Sequence, residues 1–200
     1  MLKLYLVQLD SILHNQDYLH ALPYATQLQI NNYKSEQAKK QKIGSVLLMN
    51  YLLNKYRVDV RLLKISEYGK PYVSGNKIHF NISHSGNYLI CGVSNYEIGV
   101  DIECVNPRLK TIKSMFLSQS EQKTHLHSSD SKLTQIWACK EAIVKMNGIG
   151  ITQRLNMINL NKTRACVHNI KYKNAMIAIA TKNKTPRPKI TKIALISLKD

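Results

Sequence analysis

Trp137-Ala138-Cys139-Lys140-Glu141-Ala142-Ile143-Val144-Lys145 is the stretch from which the rest of the chain is best read. Its spacing predicts a helix, because Trp137, Glu141 and Lys145 recur every four residues and stack along one face. Ala138, Ala142 and Ile143 flank that stripe and are expected to pack inward. A start at Ser131 or Thr134 and an end at Asn147-Gly148, residue types that tolerate a left-handed cap, bound the element. Trp137, the only tryptophan, is an anchor candidate. Glu141 offers a metal ligand or a base, and Lys145 a fixed positive charge one turn on. The plainer reading is a surface helix carrying an i,i+4 Glu-to-Lys pair.

Outward from this helix, the next informative segment is 98–105. Alternation sends Val100 and Ile102 to one face, and Asp101 and Glu103 together to the other. Two carboxylates ~4 Å apart repel by about 4 kcal/mol at an effective dielectric near 20. Such a pair facing a cleft calls for a cation; on a solvated strand edge beside lysines it does not. With Glu141 added, three oxygen donors suit octahedral Mg²⁺, which leaves its other positions to water and phosphates. The acids are scarce enough to make their placement informative: 12 Asp and Glu against 29 Lys and Arg, a formal net charge of +17. That field attracts any polyanion, whether nucleic acid, anionic lipid, a phosphorylated cofactor or an acidic protein.

Before the paired acids, Ile78, Phe80 and Ile82 alternate with His79, Asn81 and Ser83, predicting a strand that runs into the turn Ser83-His84-Ser85-Gly86. With segments 87–93 and 98–105 it reads as an antiparallel meander. Tyr68-Gly69-Lys70-Pro71 is a turn in which Pro71 stiffens the backbone, so Lys70 loses little entropy on gripping a phosphate. Residues 60–65 read as a short strand. Residues 34–55 read as an amphipathic helix capped by Ser35, with Ile43, Val46, Leu47 and Leu53 on the buried side. The lysines at 34, 39, 40 and 42 are either its solvated end or a phosphate site. Residues 2–9 read as a first strand, followed by an irregular polar segment to about Asn32.

Downstream, 107–124 reads as helical, with a capping box Ser118-Gln119-Ser120-Glu121 opening a further helix. Residues 122–132 read as a loop, in which His125 and His127 are exposed loop histidines rather than ligands. Alternation returns at 157–160, 166–172, 175–180 and 190–198, with a basic turn at 182–189. Each half of the chain therefore holds strands and helices, the pattern changing near 104–110. The 200 residues suit one large domain or two small ones sharing a core. No apolar run approaches the ~18 residues of a membrane span. The N-terminus alternates like a strand and has no signal-peptide pattern. The four cysteines lack ligand spacing and read as reduced thiols. A soluble cytoplasmic protein is expected.

The segments Gly69-Lys70-Pro71, Phe80-Asn81-Ile82-Ser83-His84-Ser85-Gly86, Gly99-Val100-Asp101-Ile102-Glu103 and Trp137 to Lys145 stand in the order and spacing of a known family. The chain resembles the 4′-phosphopantetheinyl transferases, and in length the longer, surfactin-synthetase-activating class. The likeness runs from about residue 35 to residue 150. It implies a pseudo-twofold, two-lobed α/β (α+β) protein, each lobe an antiparallel sheet packed with helices. The lobes are expected at 1–104 and 105–200, with coenzyme A in the cleft between them. The implied reaction moves the phosphopantetheine arm of coenzyme A to a serine of an apo acyl or peptidyl carrier protein and releases adenosine 3′,5′-bisphosphate. By the same resemblance, Asp101, Glu103 and Glu141 hold Mg²⁺, Lys145 reaches the pyrophosphate, and Glu141 is the base. Lys70 and Pro71 lie along the nucleotide, Ser83 and His84 meet phosphates, and Lys40 meets the 3′-phosphate. Pro23-Tyr24-Ala25-Thr26-Gln27-Leu28 departs from the family in having no basic residue, so either Lys34, Lys39 or Lys40 substitutes or coenzyme A binds more weakly.

A monomer with an acidic carrier partner is expected, and no nucleic-acid or membrane partner. The competing class, a basic nucleic-acid-binding protein without catalytic activity, predicts basic residues interleaved with aromatics along one groove. The eleven tyrosines are instead scattered. That class also leaves the three acids unexplained. A carrier-binding protein that has lost catalysis would lack site residues that are all present here.

Overall fold

In the computed structural model, residues 1–10, 17–75, 78–150 and 154–198 are described. The first half holds β1 (Leu2–Gln8), α1 (Asp17–His20), α2 (Tyr24–Asn31), α3 (Glu36–Lys55), β2 (Leu63–Ile65), β3 (Pro71–Val73), β4 (His79–Ser85) and β5 (Tyr88–Ser94). The second holds β6 (Ile98–Cys104), α4 (Lys113–Phe116), α5 (Gln119–Thr124), α6 (Asp130–Asn147), β7 (Cys166–Tyr172), β8 (Ala175–Thr181) and β9 (Ile190–Ile193). One sheet has the order β4-β5-β1-β9, another β6-β8-β7, and β2 pairs with β3 alone. All pairs are antiparallel except β1 with β9, which run parallel with Leu4 opposite Ile190.

The period of two in each strand decides how the sheets stack. Tyr5 and Val7 of β1, with Leu89, Cys91 and Val93 of β5, meet Leu47, Leu48 and Leu52 of α3. Leu4, Leu6 and Ile90 point the other way and meet Ile98, Val100, Ile177 and Ile179 of the second sheet. The far side of that sheet carries Met176, Ala178 and Ala180 against Ala138, Ala142 and Ile143 of α6. The result is four layers: α3, sheet, sheet, α6. Each fully buried Leu, Ile or Val contributes about 1.5–3 kcal/mol. The two sheets repeat one connectivity: strand, helix, then a hairpin whose second strand pairs with the first strand, as β1-α3-β4-β5 and as β6-α6-β7-β8. They interlock across residue 104, since β6 lies in the second sheet and β9 returns to the first.

α6 approaches β6 unusually closely. A Cβ on Gly99 would lie 1.9 Å from the Ala142 carbonyl oxygen and 2.3 Å from the Met146 nitrogen. The helix is capped by Ser129, whose hydroxyl accepts from the Lys132 amide at 3.2 Å, and ends at Gly148 with φ of 72°. Its C-terminus is as expected; its start lies earlier than Ser131 or Thr134, and Thr134 instead bonds back to the Asp130 carbonyl at 2.8 Å. Ser35 caps α3 as expected, accepting from the Ala38 amide at 3.3 Å.

Several expected elements differ. The meander stops at β5: β6 crosses to the second sheet and faces β5 across Gly92, where a Cβ would lie 2.6 Å from Val100 Cγ1. Alternation defines the two faces of β6 but not its neighbour. Segment 60–65 is a 3₁₀ turn (Val60–Leu62) followed by β2. Residues 107–124 break into a 3₁₀ turn at Pro107–Lys110, α4 and α5, and the Ser118–Glu121 capping box does open α5. Met157 ends a 3₁₀ turn rather than starting a strand, and Leu195–Leu198 is a 3₁₀ turn after β9. Of the irregular segment expected after β1, residues 11–16 lie outside the described residues, and the remainder forms α1 and α2. The four cysteines are free. Among the described residues no helix is long and apolar enough to cross a membrane.

Candidate active site

β4 and β6 lie side by side although they belong to different sheets, and side chains join them. Asn81 Oδ1 accepts from the Val100 amide at 2.7 Å, Ser83 Oγ from the Ile102 amide at 3.4 Å, and Ser85 Oγ from the Cys104 amide at 3.1 Å. Alternate residues of β4 thus satisfy alternate amides of β6. The carboxylates at the intervening positions of β6 take the hydroxyl protons: Ser83 Oγ donates to Asp101 Oδ1 at 2.8 Å and Ser85 Oγ to Glu103 Oε2 at 2.8 Å.

Lys145 of α6 completes the group. Its ammonium lies 2.5 Å from Asp101 Oδ1 and donates to Ser83 Oγ at 2.9 Å. The Glu141–Lys145 surface pair is therefore not what the stripe is for; Lys145 reaches across to a carboxylate that is 2% exposed. The other oxygen of that carboxylate, Oδ2, is buried without a hydrogen-bond partner.

These side chains line one wall of a cleft with two lobes. The first, about 740 Å³, is bounded by Tyr33, Gln41 and Lys42 of the α3 side and by His84, Asp101 and Glu103. The second, about 550 Å³, is bounded by Tyr68, Lys70, Pro71, Met115 and Leu155. Ile82, Trp137, Glu141 and Lys145 border both. Trp137 is held edge-on against Phe116, with ring centroids 5.4 Å apart. The turn after β4 falls at Gly86-Asn87 rather than at 83–86, so His84 is a strand residue. That turn is tied to α3 because Gln37 and Gln41 both donate to the Gly86 carbonyl, Gln41 at 3.2 Å.

The acids strain one another. Burial, then the neighbouring Asp101 charge, pushes Glu103 up to about 7, with Glu141 adding to the push and Ser85 and Lys145 opposing it. Burial and the Asp101 charge also raise Glu141, against Lys145. Desolvation of the ring and the Lys145 charge hold His84 below the ordinary imidazole range, so it is a neutral donor near pH 7.

Ser83, His84, Asp101, Glu103, Glu141 and Lys145 are thus brought to one cleft, with Lys70 and Pro71 in its second lobe. The Lys70 ammonium is engaged: it donates to the Ile98 carbonyl at 3.2 Å and the Met146 carbonyl at 3.0 Å, the latter at the C-terminal end of α6. Lys40 is half-buried on α3 and is not among the residues bounding the cleft, whereas Lys42 is. Ala38, Gln41, Lys42 and Ser45 share the helical face that lines the first lobe, and that period was the available signal. Lys39 is paired with Glu36 at 2.7 Å. His125 lies outside the cleft and bonds Ser128 at 3.0 Å; it is half-buried rather than exposed, while His127 is exposed as expected.

The sequence pattern of the 4′-phosphopantetheinyl transferase superfamily matches residues 97–185, the span of β6 to β8 with α6. A 4′-phosphopantetheinyl transferase of Bacillus subtilis is 32% identical over 135 residues, covering 64% of this chain and 60% of the relative. Over this span the chain is similar to the 4′-phosphopantetheinyl transferase superfamily. The phosphopantetheinyl transferase Sfp of Bacillus subtilis (strain 168) shows the same identity and coverage. The phosphopantetheinyl transferase gsp of Aneurinibacillus migulanus is 30% identical over 141 residues, covering 66% of this chain and 59% of its own length. The matched region spans about 60% of the length of these relatives.

Proposed function

We propose that this chain is a 4′-phosphopantetheinyl transferase, which moves the phosphopantetheine arm of coenzyme A to a serine hydroxyl of an apo acyl or peptidyl carrier protein. The reaction would use Mg²⁺ and release adenosine 3′,5′-bisphosphate. The observation that carries this reading is the meeting of Asp101, Glu103, Glu141 and Lys145 on one cleft wall. The names of the relatives support the same activity.

Among the described residues, no three His, Cys, Asp or Glu groups close into a ready-made metal cage. Magnesium seldom needs one: it is commonly bound by one or two carboxylates, waters and substrate phosphates. The residues fit that mode. Asp101 has a buried oxygen without a partner, and the mutual crowding of Asp101, Glu103 and Glu141 is what a bound cation relieves. Asp101, Glu103 and Glu141 would hold it, and when bound it would neutralise charge on the pyrophosphate oxygens.

In the transfer, a bond forms between the serine oxygen and the phosphorus that carries pantetheine. The bond from that phosphorus to the bridging oxygen breaks, and its electron pair leaves with adenosine 3′,5′-bisphosphate. Phosphoryl transfer of this kind needs positioning and charge more than covalent help. The serine proton goes to Glu141, whose proton affinity is already raised by burial and Asp101. Lys145, fixed by Asp101 and Ser83, supplies positive charge at the pyrophosphate. His84, neutral, donates a single N–H to phosphate. Lys42 rather than Lys40 borders the lobe beside His84 and takes the 3′-phosphate role. Lys70 spends two of its three N–H groups on carbonyls and keeps the third for a nucleotide, while Pro71 and Tyr68 form the wall beside it.

The test is incubation of the chain with coenzyme A, Mg²⁺ and a panel of apo carrier proteins, read by intact mass. A gain of one phosphopantetheine on a carrier serine is expected, and Asp101→Ala should abolish it while keeping the fold by circular dichroism. No transfer to any carrier that a known transferase modifies would overturn the reading. Full activity of Asp101→Ala would remove the metal assignment.

A further inference from the structure

We propose that Ser85 is a positioning residue: its hydroxyl holds Glu103 over the cleft so that Asp101 and Glu103 face one divalent cation together. This deepens the function proposed above and rests on it. It grows from the way β4 and β6 are joined. Asn81, Ser83 and Ser85 stand on one face of β4 and accept from the amides of Val100, Ile102 and Cys104. A serine hydroxyl has one proton, and each serine has committed it: Ser83 to Asp101, Ser85 to Glu103. The same two serines therefore fix both the register of β6 and the direction of its carboxylates.

The two carboxylates are not held equally. Asp101 is 2% exposed and also gripped by Lys145. Glu103 is half-buried, has a longer side chain, and among the described residues takes its hydrogen bond from Ser85. Charge repulsion from Asp101 drives it away from the cleft towards water, and the Ser85 bond opposes that motion. Partners that orient a metal-binding carboxylate in this way matter to the metal without touching it. Nothing in the repeat of Ser and His residues at the end of β4 distinguishes Ser85 from Ser83; only the contact to Glu103 does.

The test compares the chain with Ser85→Ala and Ser85→Thr, using manganese as a spectroscopic stand-in for magnesium, in the presence of coenzyme A and without carrier. Manganese binding, read by electron paramagnetic resonance, should weaken about 10-fold or more in Ser85→Ala and recover in Ser85→Thr, which keeps the hydroxyl. The magnesium concentration giving half-maximal transfer should rise by the same factor, with turnover at saturating magnesium changing less. Thermal unfolding in EDTA separates this from a purely structural role, which would lower the melting temperature and leave the magnesium dependence alone. Ser85→Cys, which keeps the shape and weakens the donor, gives the same comparison if the alanine variant does not fold. Unchanged manganese affinity in Ser85→Ala, or no recovery in Ser85→Thr, overturns the inference. Absence of manganese binding by the unsubstituted chain also overturns it. Manganese binding without transfer to any carrier overturns the function alone.

Discussion

Glu103 shows how much the site depends on what is brought to it. Its carboxyl is pushed up to about 7, by burial first and by Asp101 second. In the metal-free protein, the folded state binds this proton more tightly than the unfolded chain does. Glu103 therefore supports the fold at low pH, and that support is lost as pH rises from about 4.5 through 7. Glu103→Gln removes the titration. In EDTA it should melt above the unsubstituted protein near pH 8, and the advantage should shrink towards pH 5 as the carboxyl takes up its proton. A difference in melting temperature that does not change with pH would contradict the crowding of these acids. Lys70 makes the complementary point. Its stiff turn reads as a phosphate grip, but the ammonium rests on the Ile98 and Met146 carbonyls, and burial holds its proton affinity below that of a free lysine. Sequence spacing cannot show that the far end of α6 supplies acceptors for it.

Among the elements, α6 carries the most weight, and its stripe of Trp137, Glu141 and Lys145 was legible because period and residue type agree. Its other side was not. Lys140 is fully buried, donating to the Phe116 carbonyl at 2.6 Å, to Glu121 Oε2 at 2.5 Å and to the Leu155 carbonyl at 3.3 Å. Glu121, legible only as a capping residue, also accepts from the Ser118 and Leu160 amides at 2.8 and 3.0 Å. This pair pins α4, α5 and the 155–160 segment to the back of the helix, one residue from Glu141. Lys140→Met should cost about 3–5 kcal/mol of unfolding free energy, because Glu121 is left buried and charged. Lys140→Met combined with Glu121→Gln should recover much of that loss in urea titrations, and equal destabilisation of the single and double variants would contradict it. The strands divide in the same way. β4, β7 and β8 were readable from alternation, and β6 was readable by face. Its membership of the second sheet was not, since that is set by Gly92 and Gly99, which allow close approach on both its sides. The three acids drew attention because acids are rare in this chain, whereas Ser85 and Lys42 sit among many residues of their kind.

At the scale of the molecule, a formal net charge of +17 surrounds a cleft whose wall is acidic. The field would draw in coenzyme A and an acidic carrier, and the local acids would require a cation before phosphate could settle. The second-order rate constant with an acidic carrier should fall steeply as the Debye length shrinks from ~10 Å at 0.1 M salt to ~3 Å at 1 M. A rate independent of salt would rule out steering. The parallel pairing of β9 with β1 has a consequence of another kind. The second edge of β1 is covered only after some 180 further residues have been made and β9 has folded back onto it. Until then Leu4 to Val7 offer open amides and carbonyls to a neighbouring nascent chain. That sheet thus cannot be closed in the order of synthesis, and a strand made early depends on one made much later to seal it.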